Sequence, residues 1–313
     1  MILCCGEALI DFIPTPDGQA YQPCPGGSIL NIAVGLGRMD VPVGFLSRLS
    51  TDIFGDQLAR HLISNKVMLD HCPRVNGQTT LAFVKLSDDD NVEPQYAFYA
   101  EGAVDREMQT ADLPYRLDQV KALHFGSISL LLEPGATALE TLMLRESRMK
   151  IISLDPNVRP SLISDSAAYR HRFEKWLAAV DILRLSESDF SFIYPDITFE
   201  EMLPQWFDAG LSLVILTRGE QGAVGYLPDG TSASARPPRI TVADTVGAGD
   251  TFLSAVLVYL YEHGDLLDDR KNITSMGAEH LSQCLAFAVK AAAINCTRKG
   301  ANPPTRSEMD TAL

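Results

Sequence analysis

The chain has 313 residues, enough for one large α/β domain or two smaller ones, and its 46% hydrophobic and 21% charged content is ordinary for a globular protein. The formal net charge of −14 argues against nucleic acid and against anionic membranes as partners, because both attract basic surfaces. No basic region precedes Glu7 and Asp11, so the N-terminus does not resemble a signal peptide, and no apolar stretch is long enough to span a bilayer. The six cysteines lack metal-ligand spacing, which favours free thiols in a reducing cytoplasm.

Short apolar runs typical of strands alternate with helical patterns along the chain. Strands are predicted at 2–5, 43–49, 122–125, 151–154, 182–185 and 213–216. Helices are predicted at 29–38, 54–63, 136–147, 168–179, 251–262 and 281–296. Uninterrupted apolar strands separated by helices indicate an α/β fold with a mostly parallel sheet covered by helices on both faces. Because no linker, low-complexity tract or repeat divides the chain, we expect one domain over 1–313.

One segment departs from this alternation. Residues 79–86 and 95–99 are rich in β-branched and aromatic side chains and flank an Asp-rich turn at 87–91, which predicts an antiparallel hairpin. The extended piece at 12–22 could pair with it. The segment is either an edge hairpin of the core sheet or a lid, formed from about 12–24 and 72–106, that excludes water from a substrate.

The segment 244–252, DTVGAGDTF, carries the most specific chemical signal. An apolar run follows it and predicts a helix that begins near Gly249. Unpaired amides at a helix start, next to small residues, suit a phosphate, and Asp250 beside them could take a proton from an attacking hydroxyl. A tight turn with Asp250 as N-cap is the plainer alternative. A dinucleotide fingerprint would need a third small residue where Phe252 stands.

A second motif lies near the other end of the chain. Gly26 and Gly27 precede Ser28 at the predicted start of the first long helix, and twin glycines permit close approach of a ligand to the backbone. Asn31 offers both a donor and an acceptor near that helix start, and Asp11 can accept two hydrogen bonds from hydroxyls. Taken alone, the same residues could form a routine N-cap turn.

Together the two motifs resemble the signatures of the ribokinase-like (PfkB) carbohydrate kinases, and the bacterial fructokinases among them most. The matching residues are Gly26-Gly27-x-x-x-Asn31 and Asp244-Thr245-x-Gly247-Ala248-Gly249-Asp250. The resemblance spans nearly the whole chain. It implies a Rossmann-like α/β fold with a small β lid, a sugar substrate, and ATP with Mg²⁺ as cofactors. It also implies that Asp250 is the general base and that the amides of 247–249 form an anion hole.

Further segments acquire roles only through this resemblance. Arg159, in a segment similar to that of fructokinases and 2-keto-3-deoxygluconate kinases, would clamp the transferring phosphate. The nucleotide would be bound by residues of the 217–222 loop, of the C-terminal signature Asp244–Asp250 (hereafter the second signature) and of the C-terminal loop. These residues are Thr217, Gly219, Gly222, Gly249, Asn295 and Gly300. Loop carbonyls around Asp244 and Gly300 would hold a monovalent cation such as K⁺.

Two departures from the family pattern matter. Its Asn-x-x-Glu metal motif appears as Ser186-Glu187-Ser188-Asp189, so Glu187 and Asp189 are expected near Mg²⁺, through water. Where ketodeoxygluconate kinases carry Tyr-x-Arg in the lid, this chain has Tyr99-Ala100-Glu101. An acid there disfavours a carboxylate substrate, so we expect a neutral sugar. Its expected contacts are Asp11, Gly26, Gly27, Asn31, Tyr99, Glu101 and Asp250.

The sequence therefore predicts ATP-dependent phosphorylation of a primary hydroxyl of a small sugar, with fructose as the first candidate. Ketodeoxygluconate kinase, ribokinase and nucleoside kinase stay open as alternatives with the same chemistry. A non-catalytic sugar sensor is the alternative from a different class, and the intact Asp250 and glycines count against it. We also expect a cytoplasmic location and a homodimer that pairs through the lid.

Overall fold

The computed structural model describes residues 1–15, 17–85 and 95–311, so the predicted turn at 87–91 lies outside the described residues. The strands in chain order are β1 Ile2–Cys5, β2 Leu9–Pro14, β3 Tyr21–Gly26, β4 Val43–Leu46, β5 Leu49–Ser50, β6 Val67–His71, β7 Arg74–Val75, β8 Leu81–Lys85, β9 Gln95–Tyr99, β10 Ala122–Gly126, β11 Ile151–Asp155, β12 Ile182–Ser186, β13 Leu213–Thr217, β14 Ala223–Tyr226 and β15 Ser232–Ala235. The helices are α1 Ser28–Arg38, α2 Ile53–Ser64, α3 Gly135–Glu146, α4 Ser166–Leu177, α5 Glu187–Ile193, α6 Phe199–Ala209, α7 Ala248–Glu262, α8 Arg270–Thr274, α9 Gly277–Cys296 and α10 Arg306–Thr311.

The main sheet has nine strands in the order β15-β14-β13-β12-β11-β10-β1-β4-β6. The pairs from β6 to β13 are parallel, and β14 and β15 add an antiparallel edge. The predicted strand at 43–49 is divided, because β4 ends at Leu46 and β5 pairs with β7 in a separate two-stranded sheet. Arg48 lies between β4 and β5, and its guanidinium donates to the Glu107 carbonyl and to the Asp112 carboxylate.

Helices cover both faces of this sheet, as the apolar strands predict. Alternate side chains of β1 point to opposite faces: Ile2 and Cys4 pack with α1, α7 and α9, and Leu3 and Cys5 pack with α3 and α4. Each face therefore buries its own hydrophobic core. With both faces covered by helices, the carboxyl-terminal edge of the parallel strands is the natural position for a site.

A second sheet of four strands, in the order β3-β2-β8-β9, projects from this edge. Its first two strands run from Leu9 to Gly26 and so extend beyond the predicted 12–24 at both ends. Within the predicted range 72–106, β8 and β9 join this sheet, whereas β7 pairs with β5 in the small sheet. Phe12 of β2 stacks on Phe83 of β8 with ring centroids 4.7 Å apart and meets Phe54 of α2 edge-on at 5.7 Å. This aromatic contact attaches the lid sheet to the body.

Within the described ranges, no helix is both long and apolar enough to cross a membrane.

Candidate active site

A cleft of about 660 Å³ lies between the carboxyl ends of the parallel strands and the lid sheet. The segments after β1, β11 and β12 reach into it, and the N-termini of α1 and α7 converge on it. Of the predicted site residues, those that line the cleft are Asp11, Gly27, Asn31, Arg159, Asp189, Gly247, Ala248, Gly249 and Asp250. The two sequence motifs, far apart along the chain, thus meet in one cavity.

The twin glycines are required by close approach of other residues. A Cβ on Gly26 would lie 2.0 Å from Oδ2 of Asp11, and Gly27 has φ of 104°, which L side chains rarely adopt. Gly26 does not itself line the cleft but lies against Asp11, which does. The Gly26-Gly27 motif therefore brings an acceptor carboxylate and the start of α1 together.

Asp250 is held by two donors from α1. Ser28 Oγ donates to Oδ1 at 2.7 Å, and Asn31 Nδ2 donates to Oδ2 at 2.8 Å. Each oxygen keeps lone pairs for a further proton or hydrogen bond. The carboxylate is thus fixed in orientation at the first turn of α7, inside the cleft, as a general base must be. Ser28 was not among the predicted site residues, although it stands directly after the twin glycines.

Helix α7 begins at Ala248, after Gly247 with φ of 72°. The Ala248 amide donates to the Thr245 carbonyl at 3.1 Å, so it is not free for an anion, contrary to the predicted 247–249 set. The amides of Gly247, Gly249 and Asp250 find no acceptor among the described residues. The amides open to an anion are therefore these three, at the positive end of the helix.

Two carboxyl groups of the cleft lining, those of Asp11 and Glu7, have raised pKa values. Burial raises the pKa of Asp11 to about 7, against the lowering effect of Arg159, and Asp250 raises it further. Burial likewise raises the pKa of Glu7 to about 7, although hydrogen bonds from Ser129 and Ile29 oppose the shift. Glu7 was missed in the sequence, where it appears only as an acid after the first strand.

Two arginines supply the positive charge of the cleft lining. Arg159 donates to the side chain and carbonyl of Asn157, and its guanidinium lies 5.7 Å from the ring centroid of Tyr96. Arg184 in β12 is buried and was missed. A charged residue inside the apolar run Ile182–Ser186 was the available signal, because such a residue is seldom buried without a partner.

The structure contradicts the predicted lid contacts Tyr99 and Glu101. Tyr99 and Glu101 are exposed and do not line the cleft, whereas Tyr96 and Phe98 of β9 do. Successive side chains of a strand point to opposite faces, so Tyr96 and Phe98 share the inner face and Tyr99 the outer. Because neither inner side chain carries a charge, the lid strand still offers no cation to a carboxylate substrate.

Asn295 does not face a nucleotide. It is fully buried, its Nδ2 donates to the Val246 carbonyl at 2.8 Å, and its Oδ1 accepts from the Asn302 amide at 2.7 Å. Asp244 makes a similar connection, because its two oxygens accept from the amides of Val246 and Gly300. Both side chains tie the second signature to the C-terminal loop, so the role assigned to Asn295 is corrected from ligand contact to loop support.

The predicted nucleotide residues Thr217, Gly219 and Gly222 lie at the carboxyl end of β13, next to β12, outside the cleft lining. Gly219 and Gly222 have φ of 53° and 91°, and a Cβ on Gly222 would lie 2.0 Å from the Ala235 carbonyl oxygen. These glycines shape the turn into β14. Gly300 also has a positive φ, 67°, in the loop after α9.

Asp189 lines the cleft, and both of its oxygens accept hydrogen bonds from the protein. Its Oδ1 accepts from the Val158 amide at 2.7 Å, and its Oδ2 accepts from the amide and hydroxyl of Ser186 in a capping box at the start of α5. Glu187 is exposed and lies 3.3 Å from Arg218. No cluster of three His, Cys, Asp or Glu side chains able to hold a metal ion occurs in the described ranges. The two carboxylates therefore do not form a metal site by themselves.

A family model described as pfkB family carbohydrate kinase matches residues 1–308, and the chain belongs to this family. The fructokinase of Rhizobium leguminosarum bv. trifolii is 40% identical over 263 residues, which cover 83% of this chain and 79% of that protein. The crystal structure of the Xylella fastidiosa fructokinase with bound ATP has a TM-score of 0.88 at 27% identity and covers 99% of this chain and 97% of its own. The Vibrio cholerae O395 fructokinase, solved with fructose, ADP and calcium, shares the fold, with a TM-score of 0.82 at 24% identity over 96% of this chain and 94% of its own.

The ribokinase-like α/β fold and the family predicted from the two motifs are therefore confirmed. The chain is an ATP-dependent sugar kinase, an enzyme that transfers a phosphoryl group to a sugar hydroxyl.

Proposed function

We propose that this enzyme transfers the γ-phosphoryl group of ATP to a primary hydroxyl of fructose. The observation that carries the proposal is the placement of Asp250, which is oriented by Ser28 and Asn31 and stands at the open N-terminus of α7. The 40% identity to a bacterial fructokinase supports the choice of sugar. A neutral sugar also suits a cleft whose lid strand presents only Tyr96 and Phe98.

In the proposed reaction the sugar hydroxyls bond to Asp11, Asn31 and the backbone at Gly27, and one primary hydroxyl points at Asp250. Asp250 takes the proton of that hydroxyl as the hydroxyl oxygen attacks the γ-phosphorus, and the bond from this phosphorus to the bridging oxygen breaks so that ADP leaves. The amides of Gly247, Gly249 and Asp250 stabilise negative charge on the transferring group. The lid sheet, through Tyr96 and Phe98, keeps water from competing with the sugar for the phosphoryl group.

Arg159 is proposed as a second group that binds the transferring phosphate, since a guanidinium presents paired donors to phosphate oxygens. Its contacts to Asn157 hold it at the rim of the cleft, near Tyr96. Thr217, Gly219, Gly222 and Gly300 are proposed to border the nucleotide, because they lie on the loops that adjoin the second signature.

Mg²⁺ is proposed to enter with the triphosphate, where it neutralises charge on the phosphate oxygens. The two carboxylates assigned to it would contact its water ligands: Asp189 lines the cleft and keeps lone pairs beside its hydrogen bonds, and Glu187 is exposed next to it. A monovalent cation held by the loop carbonyls near Asp244 and Gly300 also remains a proposal. A comparison of turnover in K⁺ and Na⁺ buffers tests it, and equal rates without either ion contradict it.

The test of the main proposal is an ADP-release assay with Mg²⁺ and ATP across fructose, tagatose, ribose, ketodeoxygluconate and adenosine. We expect turnover on fructose. Replacing Asp250→Asn should lower kcat by about 10²–10⁴-fold, because only the proton acceptor is lost while Ser28 and Asn31 remain in place. The Asp229→Asn variant, in an exposed turn, is the matched control and should behave like the wild type.

Each other outcome of this assay has a definite meaning. Turnover confined to ketodeoxygluconate would assign the sugar differently and would make Arg159 the candidate partner of its carboxylate. Turnover of Asp250→Asn near that of the wild type would contradict the assignment of the base. Sugar binding by calorimetry without turnover on any substrate would favour the non-catalytic sensor.

A homodimer that pairs through the outer face of the lid is also proposed. On that face Tyr21 and Tyr99 are 49% and 64% exposed and flank Phe83 with ring centroids 5.4 Å and 5.5 Å away. Exposed aromatic clusters of this kind are typical of interfaces. Sedimentation at micromolar concentration tests the proposal, and a mass that corresponds to one chain contradicts it.

A cytoplasmic location is proposed on the ground that all six cysteines are unpaired in the structure. Cell fractionation tests this proposal, and recovery outside the cytoplasmic fraction would contradict it.

A further inference from the structure

We infer that Arg184 is a positioning residue for phosphoryl transfer, which holds the anion hole in place from behind and adds positive charge to it. The inference rests on the proposed function for its chemistry, and concerns a residue to which neither sequence motif assigns a role. Arg184 lies in β12, two residues before the end of the strand, and only 7% of its surface is exposed.

The guanidinium of Arg184 lies against the open side of Gly249. A Cβ on Gly249 would stand 3.0 Å from Nη2, 3.1 Å from Nη1 and 3.3 Å from Cζ, so the guanidinium faces the position that a side chain would occupy. Gly249 is not at a positive φ, and its backbone does not demand glycine. A side chain at this position would press on the guanidinium, so the glycine gives the permanent positive charge of Arg184 room beside the first turn of α7.

Two further bonds hold Arg184 in this position. Nη1 donates to Asp155 Oδ2 at 2.7 Å, at the end of β11, and Nη2 donates to Thr217 Oγ1 at 2.6 Å, at the end of β13. The ends of three neighbouring parallel strands are thus joined behind the anion hole. Nε is buried and has no acceptor among the described residues, so the two bonds leave part of the donor capacity of the guanidinium unused.

The charge of Arg184 matters because the cleft lining is acidic. Its carboxylates are those of Glu7, Asp11, Asp189 and Asp250, and its cations are those of Arg159 and Arg184. Asp155, which pairs with Arg184, is buried behind the lining. In a chain of net charge −14, a triphosphate approaching Asp250 needs nearby positive charge, and a buried charge is less screened than one in water.

The experiment compares the wild type with Arg184→Lys and Arg184→Met and uses two readouts. The first is kcat on fructose per sugar-binding site, where the sites are counted by calorimetry so that unfolded protein does not contribute. The second is the dissociation constant of a non-hydrolysable ATP analogue with Mg²⁺, which needs no turnover. Arg116→Gln is the control, because that arginine is 73% exposed and pairs with nearby Asp118.

We expect Arg184→Met to lower kcat per site by about 10²-fold and to weaken analogue binding by about tenfold, with the KM for fructose within about threefold. Arg184→Lys should recover part of both losses, because it keeps the charge but not the fork. A purely structural role would lower the number of binding sites and leave kcat per site unchanged. A kcat per site and an analogue affinity within about threefold of the wild type would overturn the inference.

Removing Arg184 leaves Asp155 buried without its partner, which by itself destabilises the fold. The Arg184→Met/Asp155→Asn double variant removes both charges and should restore thermal stability while it stays slow. Recovery of full activity in the double variant would mean that Arg184 serves only to neutralise Asp155, and would overturn the inference. If the wild type phosphorylates no sugar, the proposed function fails, yet the loss of analogue affinity in Arg184→Met still decides the role of this residue.

Discussion

At the scale of single residues, two glycines leave room in the cleft for charged side chains, because glycine has no Cβ. Gly26 has no room for a Cβ because Oδ2 of Asp11 lies 2.0 Å from that position, and a Cβ on Gly249 would stand only 3.0 Å from the Arg184 guanidinium. In each case a glycine in a motif lets a charged side chain approach the backbone closely. The motif pattern shows the glycines, but the charged partner can be found only when the fold is known.

The Gly26→Ala variant tests the proposed contact between Asp11 and the sugar. The added methyl must displace the Asp11 carboxylate, which lies 2.0 Å from its position, so we expect the KM for the sugar to rise at least about tenfold, the loss of roughly one good hydrogen bond to a charged group. The kcat should change less, because Asp250 keeps both of its donors. Steady-state kinetics with varied sugar measure both constants. An unchanged KM would show that Asp11 does not contact the sugar.

At the scale of elements, the sequence predicts what is periodic and local. The helices and parallel strands follow from hydrophobic periodicity, and the first turn of α7 was placed within one residue of its observed start at Ala248. The direction of individual side chains depends on packing, which no local pattern contains. Asn295 is the clearest example, because the face of α9 on which it lies is buried against the second signature.

The side chains of the lid strand β9 also point in directions that the sequence pattern did not predict, and this can be tested. The resemblance placed Tyr99 at the sugar, but pairing with β8 turns Phe98 inward and leaves Tyr99 outside. Phe98→Ala should raise the KM for the sugar by about tenfold through lost apolar contact in the cleft. Tyr99→Ala, on the same strand and the opposite face, is the matched control and should leave KM within about twofold. The reverse order of effects would mean that the strand pairs in a different register.

At the scale of the whole molecule, the protein buries more carboxyl groups than buried positive charge can neutralise. Burial raises the pKa of Glu7 and Asp11 to about 7, and it raises those of Asp105, Asp155 and Asp181 to about 6. Only Asp155 and Asp181 have an arginine within ion-pair distance among the described residues. At the proposed site, the amides of α7 and two arginines of the cleft lining would offset this acid when a polyanion binds.

The raised pKa values of these carboxyl groups make the free energy of unfolding decrease as pH rises. A carboxyl whose pKa is higher in the folded than in the unfolded protein favours folding at pH below the unfolded value, near 4, and this contribution is lost as pH rises through the folded pKa. Glu7 and Asp11 therefore lose theirs progressively between about pH 4 and pH 8, and part of that loss falls between pH 6 and pH 8. The lowered pKa values of His61 and His124 act oppositely, since their contribution grows with pH, but it is nearly complete above pH 6.5.

We therefore expect the ligand-free protein to be less stable at pH 8 than at pH 6, by on the order of 2 kcal/mol, or a few degrees in Tm. Thermal unfolding followed by circular dichroism at fixed ionic strength measures the difference. Glu7→Gln cannot lose a proton, so this variant should show a smaller decrease in Tm between the two pH values. A Tm that stays constant or rises from pH 6 to pH 8 would mean that these carboxyls are already ionised in the folded protein, and a Glu7→Gln slope equal to that of the wild type would exclude Glu7 as one of the titrating groups.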